Sequence, residues 1–301
     1  MPGNAARAAR GTRIKGGTLI RHPIIGLTLH YRHAALTERC VRSLLADGAD
    51  AVLVWDNTGD EGESAKGITM CQERPDRVAL EVSPTNLGFA AGVDRGIEAI
   101  LARWPQAWIF LLNNDAEVLP GAIDKLRQAL EAKPDAAVAY PGMQQGSVIF
   151  GETFYQRHFG LFTKKQLPGS IRYPSGCALM IAPERIELPL FDEDFFMYGE
   201  DVMLGARLGP QRMVHVPRVL VRHAGNAGSG QGSAFYEERM VAAHWLLARK
   251  LATNRLELGL FLLGRAISLP ARALLRALRQ RSLVPLTALW RGWRLASRHF
   301  P

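Results

Sequence analysis

The stretch AWIFLLNND, residues 107–115, decides the fold. Six apolar residues run without a break and stop abruptly at two asparagines and an aspartate. A strand wetted on one face alternates apolar and polar residues, whereas a strand covered on both faces is apolar throughout. Working outward, IIGLTL (24–29) leads to His30-Tyr31-Arg32, and AVLVW (51–55) ends at Asp56-Asn57-Thr58-Gly59. VALEV (78–82) gives a third strand. Between the strands the apolar spacing turns helical, over 34–46, from Phe89 through Val93, Ile97 and Ile100, and over 121–132.

Strand and helix alternate, which predicts an α/β fold with a mostly parallel sheet and helices on both faces. Ligands of such sheets bind beyond the carboxyl ends of the strands. The polar groups at 30–32, 56–57 and 113–115 are therefore expected to meet in one crevice. Further along, 136–140 reads as strand, 141–175 as loops with short strands, CALMIA (177–182) as strand and 213–222 as a last strand running to His223. From about 233 onward the chain reads as helix.

With 301 residues, 48% of them hydrophobic, the chain suits one large α/β domain and an appendage. The predicted divisions are a flexible basic arm (1–22), the α/β domain (23–232) and a basic helical tail (233–301). Cys40, Cys71 and Cys177 show no metal-ligand spacing and an odd count, which favours a reducing compartment. The net charge is +9, and residues 249–301 alone hold 11 Lys/Arg against one acid, Glu257. The body is thus near neutral, which argues against nucleic acid as a partner.

Several clusters bear on chemistry. Asn113-Asn114-Asp115 offers oxygen ligands just past a strand end, as a divalent cation needs, but the same residues favour turns. FFMYGED (195–201) ends in two carboxylates, Glu200 and Asp201. A carboxylate against an apolar wall makes a fair general base, and two acids also suit the first turn of a helix. His223 stands alone before GNAGSGQG, and a lone histidine is more often a satisfied polar residue than a ligand. NLGFAAG (86–92) looks like a phosphate-cradling loop without the spacing of either established fingerprint.

These pieces occur in a fixed order. NLGFAAGVDRGI (86–97), WIFLLNNDAEVLPGAI (108–123), SGCALMI (175–181), FDEDFFMYGEDVML (191–204) and VRHAGNAGSG (221–230) together resemble the inverting glycosyltransferases of family 2, nearest their rhamnosyltransferase-like bacterial branch. The resemblance covers about residues 23–230 and implies the GT-A fold. It implies that Asp115, with His223, holds Mg2+ or Mn2+ on the diphosphate of a nucleotide-sugar donor, dTDP or UDP being favoured. His30, Tyr31, Arg32, Asp56, Asn86, Gly88, Asn113 and Asn114 then line the donor site. Asp201 matches the catalytic base, with Tyr198 and Glu200 beside the acceptor. Three positions depart from the family pattern: Asn113 in the metal motif, Arg32 where asparagine is usual, and Asp94 likewise.

In the tail, Leu263, Ile267, Ala271, Leu274 and Leu278 form an apolar stripe, and Arg265, Arg272, Arg276 and Arg279 a basic one, with a break or kink expected at Pro270. Uncharged runs there, such as 258–264, are far short of the ~20 residues a bilayer span needs. A basic amphipathic helix with Trp290 and Trp293 suits an anionic membrane surface; the alternative is a helical cap or an oligomer interface. The expectation is a cytoplasmic enzyme held at the inner face of a bacterial plasma membrane, acting on a glycan or lipid-linked acceptor in surface polysaccharide synthesis. The rival is a non-catalytic glycan-binding or scaffold module on the same fold. A nucleotidyltransferase is less well supported, because HYRHAAL (30–36) lacks a glycine- and lysine-rich phosphate loop.

Overall fold

A computed structural model describes residues 22–225, 230 and 232–299. The predicted basic arm lies outside these residues except for His22, as does most of the glycine-rich stretch after His223.

The first half alternates as expected: β1 (Ile24–His30), α1 (Ala34–Ala46), β2 (Ala51–Asp56), a short α2 (Met70–Glu73), β3 (Val78–Val82), α3 (Phe89–Arg103) and β4 (Trp108–Leu112). Then come β5 (Ala116–Val118), α4 (Ala122–Ala132), β6 (Val138–Gln145) and β7 (Val148–Phe150). β8 (Thr153–Gln156), β9 (Leu161–Thr163) and β10 (Ser170–Tyr173) make a separate three-stranded sheet. The chain continues through β11 (Ala178–Ile181), α5 (Glu200–Leu208), β12 (Met213–His223), α6 (Ala234–Leu251), α7 (Arg255–Gln280) and α8 (Val284–Ser297).

The main sheet is ordered β3-β2-β1-β4-β11-β6-β12-β5, with β7 beside β6. β1, β2, β3 and β4 are mutually parallel, as are β6 and β12. β4 shows why its run is unbroken: Trp108, Phe110 and Leu112 enter the core on one face, Ile109 and Leu111 the core on the other. β11 runs antiparallel to both neighbours, β4 and β6. Its chain enters at the carboxyl edge, where the Cys177 carbonyl accepts from the Asn113 amide at 2.9 Å, so it can only run back down the gap.

The C-terminal helices pack on this body. Ser233 caps α6, its Oγ accepting from the Tyr236 amide at 3.1 Å, and α6 buries Ala243, Leu246 and Leu247 against Phe195, Val202 and Tyr155. α7 runs unbroken through Pro270, so the expected break is absent. By length and composition α7 could cross a membrane, which the count of uninterrupted apolar residues had not revealed.

The basic stripe of α7 turns toward the protein. Arg265 is fully buried. Its guanidinium donates to the carbonyls of His244 (3.3 Å), His158 (2.8 Å) and Phe261 (3.3 Å), to that of Arg157, and to the Tyr155 hydroxyl (2.9 Å). Arg272 donates to His244 Nε2 at 2.9 Å, and Arg276 grips the buried Glu237 carboxylate. Burial, then the charges of Arg272 and Arg265, hold His244 well below the usual imidazole range. A neutral ring then accepts at Nε2 and donates from Nδ1 to Tyr155 at 3.1 Å.

Candidate active site

The strand ends do converge. After β4 the Asn113 carbonyl accepts from the Ala116 amide at 3.0 Å, turning the chain into β5. β5 pairs with the end of β12, setting Ala116 opposite His223, and the Asp115 carbonyl accepts from the Ala224 amide at 2.9 Å. This places His223 Nε2 2.9 Å from Asp115 Oδ1. Burial opposes charge on His223, but the Cys177 sulfur and the Asp115 carboxylate beside it outweigh burial and push the ring up to about 10.

The donor atoms here suit a divalent cation. Asp115 supplies a hard oxygen and His223, once a bound cation has displaced its proton, an imidazole nitrogen, while Asn113 Oδ1 is buried without a hydrogen-bond partner among the described residues. No group of three or more His, Cys, Asp or Glu side chains forms a closed metal site among the described residues. An ion held by Asp115 and His223 is therefore open to ligand oxygens. Asn114 instead donates from Nδ2 to Thr37 on α1 at 3.1 Å.

At the ends of β1 and β2 one expectation needs correcting. His30 is fully buried, with Nδ1 2.8 Å from Thr37 Oγ1 and Nε2 3.1 Å from Ser64 Oγ. Both ring nitrogens are engaged inside the protein, so His30 supports the donor wall without facing a ligand. Asp56 is also buried; Oδ1 accepts from the Thr58 amide at 2.9 Å, and Oδ2 has no partner among the described residues. Tyr31 and Arg32 lie at the rim, with the Arg32 guanidinium 4.9 Å from the Tyr31 ring centre. Arg32 adopts φ 62°, a left-handed conformation that asparagine tolerates more easily.

Asn57 brackets the 86–89 loop. It accepts from the Leu87 amide at 3.1 Å and donates to the Gly88 carbonyl at 2.8 Å, while Asn86 Oδ1 accepts from the Gly88 amide at 2.9 Å. Gly88 has φ 83°, and a Cβ there would lie 2.4 Å from the Phe196 carbonyl oxygen. Only glycine lets the loop press against the 195–199 segment, where the Phe89 amide donates to that same oxygen at 2.7 Å.

The 195–201 segment answers to the same physics. Tyr198 and Gly199 are both left-handed, at φ 69° and 97°. For a tyrosine this conformation costs of order 1 kcal/mol, borne here at a functional turn. The turn starts α5, so Glu200 and Asp201 occupy its first turn, near the positive end of the helix dipole. Burial pushes the Asp201 carboxyl up to about 6, although the amides of Val202 and Gly176 hydrogen-bond it and pull it down. Glu200 is 6% exposed, and its Oε2 lacks a partner among the described residues. Burial, reinforced by the Asp201 charge, raises its carboxyl well above the usual range. The pair's proton therefore sits preferentially on Glu200, which leaves the charge to Asp201. Phe195 lies in the core at 1% exposure, so it backs the pocket and does not line it. Tyr198 packs on Tyr236, and Phe196 on Phe235.

The two centres are linked through a short turn. Gly176 bonds Asp201, and the next residue, Cys177, lies beside His223 and bonds Asn113. Two further anchors escaped the sequence. Asp94, buried on α3, accepts from the amides of Leu190 (2.6 Å) and Phe191 (3.2 Å) and so fixes the start of the 191–199 loop. Lys250 on α6 bridges Asp192 (2.7 Å) and Asp194 (2.6 Å) in the same loop. The departure at Asp94 was visible; nothing marked Lys250.

Comparison with known proteins agrees with this geometry. The model of Glycosyl transferase family 2 matches residues 27–186. N-acetylglucosaminyl-diphospho-decaprenol L-rhamnosyltransferase of Mycobacterium tuberculosis is 28% identical over 257 residues, 74% of this chain and 80% of its own. A mannosyltransferase of Pyrobaculum calidifontis, solved with GDP-Man and Mn2+, superposes with TM-score 0.58 at 14% identity, over 94% of this chain and 89% of that one. Staphylococcus aureus TarS superposes with TM-score 0.50 at 12% identity, over 79% and 70%. These likenesses to solved structures show the GT-A fold. The family match takes in the 86–89 loop, the end of β4 and the Gly176 turn, more than half the chain, which therefore belongs to glycosyl transferase family 2 and is a glycosyltransferase.

Proposed function

We propose that this enzyme is an inverting transferase that moves a sugar, rhamnose first among the candidates, from a dTDP or UDP donor to a hydroxyl of a glycan or lipid-linked acceptor. The observation that carries the reading is the raised carboxyl of Asp201, joined through Gly176 and Cys177 to the Asp115–His223 pair. Asp201 takes the acceptor proton as that oxygen attacks the anomeric carbon from the face opposite the leaving diphosphate. One in-line displacement with one base inverts the centre. Asp56 Oδ2, buried without a hydrogen-bond partner among the described residues, would accept from an N–H of a pyrimidine base once its rim admits the ligand. Asp115 and His223 would hold Mg2+ or Mn2+, which when bound neutralises charge on the diphosphate. The relative named above acts on a lipid-linked substrate, and a similar acceptor would place this reaction at the inner face of the plasma membrane.

Thermal unfolding of the purified chain with dTDP, UDP, GDP or CDP, each with and without Mn2+, tests the donor site. One pyrimidine diphosphate is expected to stabilise the protein, by about 2.7 kcal/mol at a hundredfold excess over Kd, only with metal and not in Asp115→Ala. No shift with any nucleotide would leave the non-catalytic reading standing.

The pH profile tests the base. A carboxyl that works only when ionised, and titrates near 6, gives kcat/KM that falls tenfold per pH unit below about 6 and levels off above it. A limb near 4 would mean that a different carboxylate removes the proton.

A further inference from the structure

α7 is built inside out. Its central arginines face the protein, and every exposed residue between 256 and 278 is Leu, Ile, Ala, Gly or Pro. Leu256 is 76% exposed, Ile267 58% and Leu278 68%. At 100° per residue these positions lie opposite Phe261, Arg265, Leu269 and Ala273, which are buried against the body. The exposed cations stand at the ends, Arg255 before the apolar ridge and Arg279 and Arg281 after it. A continuous apolar ridge of this length does not stay in water; such patches mark interaction surfaces.

We propose that this ridge inserts into one leaflet of an anionic bilayer, with α7 lying in the membrane plane and Leu256, Leu260, Leu263, Ile267, Leu274 and Leu278 in the acyl boundary. Three observations favour this occupant. The inner face of α7 is hydrogen-bonded to the body through Arg265, Arg272 and Arg276, so the helix cannot leave it to span the bilayer. A second copy laid against the ridge would bring Arg255, Arg279 and Arg281 onto their like, in a segment that already carries 11 Lys/Arg and one acid. Anionic headgroups match those end charges, and a leaflet matches a ridge that is apolar along its whole length. Because the central arginines are engaged inside, attachment comes chiefly from apolar insertion and resists salt, unlike a purely basic surface helix.

Flotation of the full chain with phosphatidylcholine–phosphatidylglycerol vesicles tests this at 0.1 and 1 M salt, an experimental range that spans a Debye length of ~10 to ~3 Å. The wild type is expected to float at both, and the variant Leu263→Glu/Ile267→Glu/Leu274→Glu to lose at least about tenfold of its bound fraction, because three apolar anchors become charged. These residues are exposed, so the variant keeps its thermal midpoint. A wild type that stays in solution, one that is washed off at 1 M salt, or a variant that floats equally would overturn the proposal. A wild-type dimer that the variant converts to monomer would overturn it too and assign the ridge to a second copy. Flotation reads no sugar transfer, so it stands or falls apart from the catalytic assignment.

Discussion

Asp201→Asn is expected to abolish sugar transfer and to leave donor binding intact. The amide fills the space of the carboxyl and its oxygen can still accept from the Val202 amide, now at 2.8 Å, so the start of α5 is preserved. What it loses is the ability to take a proton, and loss of a positioned base lowers turnover by about 10²–10⁴-fold. Nucleotide diphosphate Kd is expected to change by no more than about twofold, because donor contacts lie at other strand ends. Glu200→Gln supplies the contrast. Burial holds Glu200 closer to its protonated form than Asp201, so glutamine is a close mimic and turnover should fall by less than about tenfold. Single-turnover rates and equilibrium binding of both variants separate the roles. Reversal of the two effects would move the base from Asp201 to Glu200.

Arg265→Met is expected to produce the largest loss of stability of any single change in the helical tail. Methionine fills the volume but offers no donor to the carbonyls of Arg157, His158 and His244 or to the Tyr155 hydroxyl. Each buried polar group left unpaired costs about 1–3 kcal/mol. Removing a buried guanidinium also returns its desolvation, which offsets part of this. The net is about 3 kcal/mol, read as a lower urea midpoint at unchanged slope. Arg265→Lys keeps the charge with fewer donors and no planar fork, and should fall between the two. A change below about 1 kcal/mol for the methionine variant would mean that apolar packing, not this hydrogen-bond hub, docks α7.

The sheet was legible because burial on both faces demands unbroken apolarity, and IIGLTL, AVLVW and AWIFLL carry it. Their polar ends marked the crevice for the same reason. Strand direction was not legible: CALMIA has the composition of a buried strand whichever way it runs, and only the turn at Gly176 makes it antiparallel. Within the crevice, Asp115 and His223 do come within reach of one another, yet His30 was not separable from them, since engagement of its two nitrogens depends on Thr37 and Ser64. Both stripes of α7 could be counted from the sequence. Which one faces inward depends on carbonyls at 157 and 158, more than 100 positions away, and so could not be read from the spacing of the tail alone.

The grip of Lys250 on Asp192 and Asp194 bears on how such a chain can be recombined. Relatives that share a catalytic core are natural stock for chimeras in which one C-terminal segment is grafted for another. Here the graft boundary would cut through a working contact. A foreign tail without a lysine at this position leaves two neighbouring carboxylates with no shared counter-charge, just ahead of the turn that delivers Asp201. A hybrid is therefore expected to keep its turnover only when the lysine and the aspartates travel together.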